Sequence, residues 1–286
     1  MKFHLATADI FIPDGTPVAD ALARTTHLGI GAHQDDLEFM AFGGIIECFH
    51  HGDAQWFTGV TCTNGGGSAR TGEYAAFSDE QMRAVRRGEQ RQAAVAGRYG
   101  AMIQLDYPSS VAKDPADSRL REDLRSILAA TQPRIVYTHN PADKHATHIA
   151  VVVPVIEAIR SLPRDQRPAA VHGCEVWRDL DWLPDAEKVV HDVSGHDHLA
   201  VELNGIFKSQ ISGGKRYDLA VLGRRRANAT FIASHATDKS DALAFAMDLT
   251  PLAHDDSLDI VAYVTGFIDR FRADVAGKVH ARLGKH

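Results

Sequence analysis

The stretch Gly29-Ile30-Gly31-Ala32-His33-Gln34-Asp35-Asp36-Leu37-Glu38 follows a short apolar run, Leu28 to Ile30, and leads into a helix-forming run over residues 39–50. Its reading decides the fold. An apolar strand that ends in a histidine and two aspartates and then turns into a helix is the opening unit of an α/β sheet. In such sheets ligands bind at the carboxyl ends of the strands. His33 and Asp36 are three residues apart, so across the turn both can face one point, while Asp35 between them points elsewhere. That implies a division of labour: His33 and Asp36 hold a metal, and Asp35 acts on whatever the metal holds.

A second cluster has the same setting. The strand Arg134-Ile135-Val136-Tyr137 runs into Thr138-His139-Asn140-Pro141-Ala142-Asp143-Lys144-His145-Ala146-Thr147-His148, and a helix follows to about residue 161, before Pro163. His145 and His148 stand one helical turn apart and share a face. His33, Asp36 and His148 together make a two-histidine, one-carboxylate set. Such a set leaves an open position on Zn²⁺ and also suits Fe²⁺. In this reading Asp35 takes a proton from water, His145 donates to a developing oxyanion or leaving group, and Asp143 and Asn140 orient the imidazoles. The blander reading of each piece is a helix N-cap or a pair of surface histidines. Two such clusters at two strand ends make coincidence the weaker account.

Working outward, residues 55–62 read as the second strand, rich in aromatic and β-branched residues. Gly43-Gly44 lets the helix before it pack closely on the sheet. The loop Asn64-Gly65-Gly66-Gly67-Ser68-Ala69-Arg70-Thr71-Gly72 reads either as a binding loop at the same sheet edge as His33, with Arg70 as its cationic tip, or as a plain surface connection. Residues 79–99 form a helix with Ser78 as N-cap and Gly100 just past its end. Residues 102–105 read as a strand and 120–130 as a helix. The alternation predicts an α/β fold: a Rossmann-like, mostly parallel sheet flanked by helices, with right-handed crossovers. Beyond residue 165 the pattern changes. Residues 169–177 and 188–193 read as strands, 198–211 as helix, and Asp255-Asp256 as the start of a last helix over 257–275. No internal repeat or linker divides the chain, so one domain with a C-terminal elaboration is expected.

Composition excludes several classes. The chain of 286 residues is 44% apolar and 24% charged, with a formal net charge of −6. That balance argues against nucleic acid as the main partner. The three cysteines, Cys48, Cys62 and Cys174, show no CxxC spacing and read as small buried hydrophobes. No apolar run approaches membrane-spanning length, and residues 1–8 lack a signal-peptide core, so the expected location is the cytoplasm. Position 34 is Gln where a dinucleotide fingerprint needs Gly, and the run Gly213-Gly214-Lys215-Arg216 lacks the spacing and Ser/Thr of a P-loop.

The motifs resemble those of the PIG-L/LmbE family of metal-dependent N-deacetylases, which includes N-acetylglucosaminyl-phosphatidylinositol deacetylases and the sugar deacetylases of mycothiol and bacillithiol synthesis. The family's Ala-His-x-Asp-Asp-x-Glu stands here as Ala32-His33-Gln34-Asp35-Asp36-Leu37-Glu38, followed by Gly43-Gly44. Its Asp-Arg-His-Pro-Asp-His stands as Asp143-Lys144-His145-Ala146-Thr147-His148. An Arg-x-x-Glu helix matches Arg86-Arg87-Gly88-Glu89, a Thr-x-Gly loop matches Thr63-Asn64-Gly65, and a late Ser-Gln matches Ser209-Gln210. The likeness covers roughly residues 26–212; residues 213–286 are a subfamily-specific extension.

The resemblance implies His33, Asp36 and His148 as zinc ligands, Asp35 as general base and His145 as the electrostatic or general-acid histidine. It places Arg70 and Asn64 at substrate-binding positions. Thr147 departs from the family's aspartate, which implies a less basic His145 and a shifted pH optimum. The implied activity is removal of an acetyl or other acyl group from an N-acylated small molecule, a sugar above all. The native metal is open among Zn²⁺, Fe²⁺ and Mn²⁺. The alternatives are a non-enzymatic sugar or nucleotide-sugar binding protein, or a metal-dependent hydrolase of a non-sugar amide or phosphoester. Arg224-Arg225-Arg226 would suit an anionic substrate, although a solvated face is the commoner use of such a run. A homo-oligomer is left open.

Overall fold

The computed structural model describes residues 1–52 and 54–284. An eight-stranded mixed sheet runs in the order β1-β4-β3-β2-β5-β6-β8-β7. The strands are β1 (Asp9–Phe11), β2 (His27–Gly31), β3 (Phe57–Thr63), β4 (Ala101–Tyr107), β5 (Ile135–His139), β6 (Ala170–Cys174), β7 (Lys188–Asp192) and β8 (Leu243–Asp248). The first half of the chain carries helices α1 (Val18–Ala23), α2 (Asp36–Met40), α3 (Phe42–His50), α4 (Asp79–Ala96), α5 (Ser109–Ala112) and α6 (Arg119–Thr131). The second half carries α7 (Ala146–Arg160), α8 (Asp197–Ile206), α9 (Lys208–Ile211), α10 (Tyr217–Phe231), α11 (Thr250–His254) and α12 (Ile260–Leu283). No helix among the described residues is long and apolar enough to cross a membrane.

The central strands β4, β3, β2, β5 and β6 are parallel. Residues of β2, β3 and β4 are buried throughout, because helices cover both faces. The chain steps outward from β2 through β3 to β4, then returns to place β5 on the other side of β2. The switch point of the sheet therefore lies between β2 and β5, where a ligand crevice forms. Both histidine-rich clusters emerge there.

Close packing at that seam depends on glycine. A Cβ on Gly44 would lie 2.5 Å from the Tyr137 ring, and one on Gly29 would lie 2.6 Å from the Phe57 ring. Helix α3 thus sits against β5 at a distance that a larger residue would forbid. The three cysteines are buried and unpaired, as expected.

Several boundaries differ from the sequence reading. Helix α4 has the Ser78 cap, in a reciprocal box with Gln81, but ends at Ala96 with Gly97. The chain then turns through Arg98 at φ 53° so that Tyr99 can bury its ring and donate its hydroxyl to Glu38 at 2.7 Å. The last helix starts at Ile260, capped by Asp259 onto the Ala262 amide at 2.7 Å. Asp255 caps only a local turn at Ser257. The expected helix over 198–211 is broken into α8 and α9 at Phe207. Strand β8 has no counterpart in the sequence reading; it lies antiparallel between β6 and β7.

Candidate metal and catalytic site

The turn from β2 into α2 is strained and fully braced. Asp35 holds φ at 99°, a conformation costly for a residue with a side chain. The Asp35 amide donates to Gln90 Oε1 at 3.1 Å, and Arg86 donates to the Gln34 carbonyl and to Asp35 Oδ2, the latter at 3.2 Å. Gln34 Nε2 donates to the Thr63 carbonyl at 3.2 Å. Asp35 stands at the N-cap position of α2, yet its side chain makes no cap bond. The capping account of this aspartate pair is therefore insufficient. Asp36 instead accepts the His33 amide at 2.7 Å, which folds the turn back on itself.

From the other side of the switch point, His148 on the first turn of α7 brings Nε2 to 3.4 Å from Asp36 Oδ1. His33 Nδ1 is 3.3 Å from Asp36 Oδ2. One donor atom from each of His33, Asp36 and His148 lies within 4.8 Å of the others. His148 Nδ1 pairs with Asp143 Oδ2 at 3.1 Å, which fixes the ring and turns Nε2 toward the cluster, where it has no hydrogen-bond partner. An orphaned, buried imidazole nitrogen beside an imidazole and a carboxylate is a donor set that fits a divalent cation such as Zn²⁺. His139, Asp143 and His148 form a second close group. There His148 Nδ1 is engaged by Asp143, His139 Nε2 accepts the Ala32 amide at 2.9 Å, and the two rings stack with centroids 3.8 Å apart. This second group reads as a support for the first.

The cluster opens into a cavity of about 710 Å³, walled in part by Asp35, His145, Phe39, Trp177 and Tyr217. His145 packs edge-on to His33 at 5.1 Å and stacks on Trp177 at 5.8 Å. Tyr217 meets Trp177 at 5.9 Å and Phe39 at 5.5 Å, so an aromatic wall runs from His145 across the pocket.

Residues 28–159, which carry both clusters, match the PIG-L family, described as GlcNAc-PI de-N-acetylase. No curated protein matches the chain by sequence. Solved structures do match in fold. The 4-carboxy-2-hydroxymuconate hydratase of Pseudomonas putida is 17% identical, with a TM-score of 0.59 over 79% of this chain and 96% of the other. The N,N'-diacetylchitobiose deacetylase of Pyrococcus horikoshii is 17% identical, with a TM-score of 0.57 over 77% of this chain and 83% of the other. The A40926 pseudoaglycone deacetylase is 16% identical, with a TM-score of 0.57 over 79% and 97%. Deacetylases and a hydratase thus share the fold of this chain, and chemistry has to be argued from the site.

Electrostatics separate the two adjacent aspartates of the β2–α2 turn. Burial, aided by Asp36 and Glu38 and opposed by Arg86, pushes Asp35 well above the usual carboxylate range. Burial also works against ionisation of Asp36, but His148, His139 and His33 outweigh it and hold that carboxyl well below the range. Burial disfavours the His148 proton, yet Asp36 and Asp143 raise it to about 9. His145 falls to about 4, through burial and the neighbouring His148 and His33. No hydrogen-bond partner meets its buried Nδ1. His145 is therefore neutral at pH 7.

The structure brings together His33, Asp35, Asp36, Asp143, His145 and His148. It does not bring in the other expected residues. Arg70 is tied within its own loop, to the carbonyls of Gly66 and Phe77 and to Asp79. Asn64 accepts the Gly66 amide at 3.1 Å and shapes the turn. Asn140 donates to the Cys174 carbonyl at 2.9 Å, which clamps β5 to β6 and orients no imidazole. Arg86 reaches the site from α4 and contacts Asp35. Glu89, one turn further, accepts from the Ser209 amide at 2.7 Å and hydroxyl at 2.6 Å, locking α9 to α4. His139 was visible at its strand end but has a partner only in three dimensions. Trp177 and Tyr217 carried no sequence signal: one follows β6, the other opens α10, and they meet only in the folded chain.

Proposed function

We propose that the protein is a metal-dependent amide hydrolase that removes an acetyl group from an N-acetylated sugar or a related small molecule. The observation that carries this reading is the pairing of a three-donor cluster, His33, Asp36 and His148, with a separate carboxylate, Asp35, on the same pocket wall. A binding module has no use for a strained, desolvated carboxylate beside a metal site. His33, Asp36 and His148 would hold the cation, Zn²⁺ by donor chemistry, with Fe²⁺ and Mn²⁺ also suited. Bound there, it would polarise the amide carbonyl and make water acidic.

The protein's own residues do the rest. Asp35, raised in basicity by burial, accepts a proton from the attacking water and returns it to the departing amine. Arg86 holds the Asp35 carboxylate in place at 3.2 Å. Neutral His145 donates an N–H to the oxygen on which charge develops. Asp143 keeps His148 in the tautomer that frees Nε2. The Trp177 and Tyr217 rings offer an apolar face of the kind on which a pyranose stacks.

The test is acetate release from N-acetylated sugars by wild type and Asp35→Asn, with metal content measured on both and on His148→Ala. Expected are about one metal per chain in wild type and Asp35→Asn, loss of it in His148→Ala, and a turnover loss in Asp35→Asn of about 10²–10⁴-fold. Full turnover in Asp35→Asn would remove Asp35 as the base. Wild type that takes up no metal would return the protein to the binding-module reading.

A further inference from the structure

Arg224-Arg225-Arg226 does not behave as a uniform solvated face. Arg226 does point outward and pairs with Asp197. Arg224 and Arg225 line the same cavity as Asp35 and Asp36. Arg225 is 3% exposed. Its Nη2 donates to the carbonyls of Glu38 at 2.8 Å and Phe39 at 3.0 Å, and its guanidinium carbon lies 4.2 Å from the centre of the Phe42 ring. Its Nε and Nη1 are buried with no hydrogen-bond partner. No carboxylate of the described residues lies within ion-pair distance of Arg225. A buried guanidinium with unpaired donors is costly unless a ligand completes it.

The surroundings sharpen the point. The acid on this wall is Glu175, and its oxygens are already engaged. Oε1 accepts from Asn228 at 2.6 Å and from the Phe245 amide at 3.2 Å, and Oε2 from the Leu180 amide at 3.3 Å. Arg224 is anchored to the Val176 carbonyl. Lys215 stands with its ammonium 5.2 Å from the Trp177 ring centre. This end of the cavity therefore carries more positive than negative charge, and it lies along α2 from the ligand Asp36.

We propose that this end of the pocket is an anion subsite, in which Arg225 receives a carboxylate or phosphate carried by the substrate on the side away from its acyl group. The inference rests on the amide-hydrolase reading for the identity of the reacting group, but not for the binding of the anion. Arg225 is a specificity residue here: with Nη2 spent on two carbonyls, its unpaired Nη1 and Nε remain to give an anion a charge-assisted hydrogen bond from a fixed position. Its bonds to Glu38 and Phe39 keep the guanidinium fixed before the substrate arrives.

The experiment compares three glycosides of N-acetylglucosamine: the neutral methyl glycoside, the carboxymethyl glycoside and the 1-phosphate. Acetate release is measured for kcat/KM, and binding of the same compounds is titrated by calorimetry. Wild type is expected to favour at least one anionic compound over the methyl glycoside by about tenfold or more, expressed mainly in KM, as befits one charge-assisted pair. The favoured arm tells carboxylate from phosphate. Arg225→Gln should bring the ratio close to one, Arg225→Lys should leave it in between, and Arg226→Gln should retain it. If Arg225→Gln does not fold, the wild-type ratio and the Arg225→Lys value decide. Equal kcat/KM and equal affinity for all three compounds in wild type overturn the subsite and leave amide hydrolysis standing. So does a wild-type preference unchanged in Arg225→Gln or Arg225→Lys. Tighter binding of an anionic compound, lost in the Arg225 variants, supports the subsite even where no acetate is released; that result would overturn the hydrolase reading alone.

Discussion

The two walls of the pocket are built in opposite ways. The wall made by β2–α2 and β5–α7 takes its chemistry from short, contiguous runs, residues 33–36 and 143–148, set at strand ends. The facing wall, made by the segment after β6 together with α10, takes Glu175, Trp177, Tyr217 and Arg225 from separate places in the chain. The first wall is ordered by its own turns: Asp36 accepts the His33 amide, and Asp143 accepts the His145 amide at 3.1 Å. The second is ordered by contacts between elements distant in sequence, such as Arg225 to Phe39 and Asn228 to Glu175. Chemistry resides where local geometry can be tightly set, and selectivity where it can be changed without disturbing that geometry.

Mutation of the first wall should have the largest effects. Asp36→Asn removes the carboxylate shared by His33, His139 and His148, and is expected to abolish metal uptake and acetate release together, measured by metal content and turnover. Asp36→Asn with bound metal and normal turnover would break the comparison at its root.

The seam beneath that wall comes next. Gly44→Val drives a side chain into the Tyr137 ring, where even a Cβ would sit at 2.5 Å. Overpacking of this kind costs about 1–3 kcal/mol. Urea denaturation should show it as a lower midpoint with an unchanged slope.

The brace between the walls follows. Ser209→Ala removes the 2.6 Å hydroxyl donor from the buried Glu89 carboxylate. A buried acceptor left short of a donor costs about 1–3 kcal/mol. The loss should appear as faster hydrogen exchange in α9 before any change in β2 or β5.

The smallest effect belongs to pH. Burial, with His172 and His27 nearby, lowers His191 on β7 to about 4. The unfolded chain binds that proton from the ordinary histidine value downward, while the folded chain resists it until about 4. His191 therefore contributes nothing at pH 7, and stability falls as pH drops from about 6.5 toward 4. His191→Gln should flatten that part of the stability curve by up to one proton's worth of slope. An unchanged slope would mean that the far edge of the sheet carries no acid sensitivity.

The two walls also differ in how much the sequence disclosed. His33, Asp35, Asp36, His145 and His148 were legible because each sits within a few residues of a strand end, and the spacing of a turn brings neighbours to one point. The parallel character of β2 to β5 was legible for the same reason: alternating apolar runs and amphipathic helices leave few topologies. Arg70 misled because a cationic loop tip looks free in sequence, whereas Asp79 and its own loop carbonyls are in reach once it folds. Arg86 was legible as part of a motif, but its contact with Asp35 depends on how α4 lies across β2. Strand β8 escaped because a strand that pairs antiparallel between β6 and β7 is specified by those partners, not by its own short run.

The sequence by itself determined the local geometry: which residues end strands, which helices begin with which caps, and which imidazoles and carboxylates share a turn. Backbone dihedrals and nearest-neighbour hydrogen bonds suffice for that. Only the tertiary structure decided that His148 meets Asp36, that Arg86 braces Asp35, and that Arg225 and Arg226 have opposite surroundings. Those outcomes depend on long-range packing, in which a rotation of one helix by a single residue carries a side chain from solvent to a pocket wall.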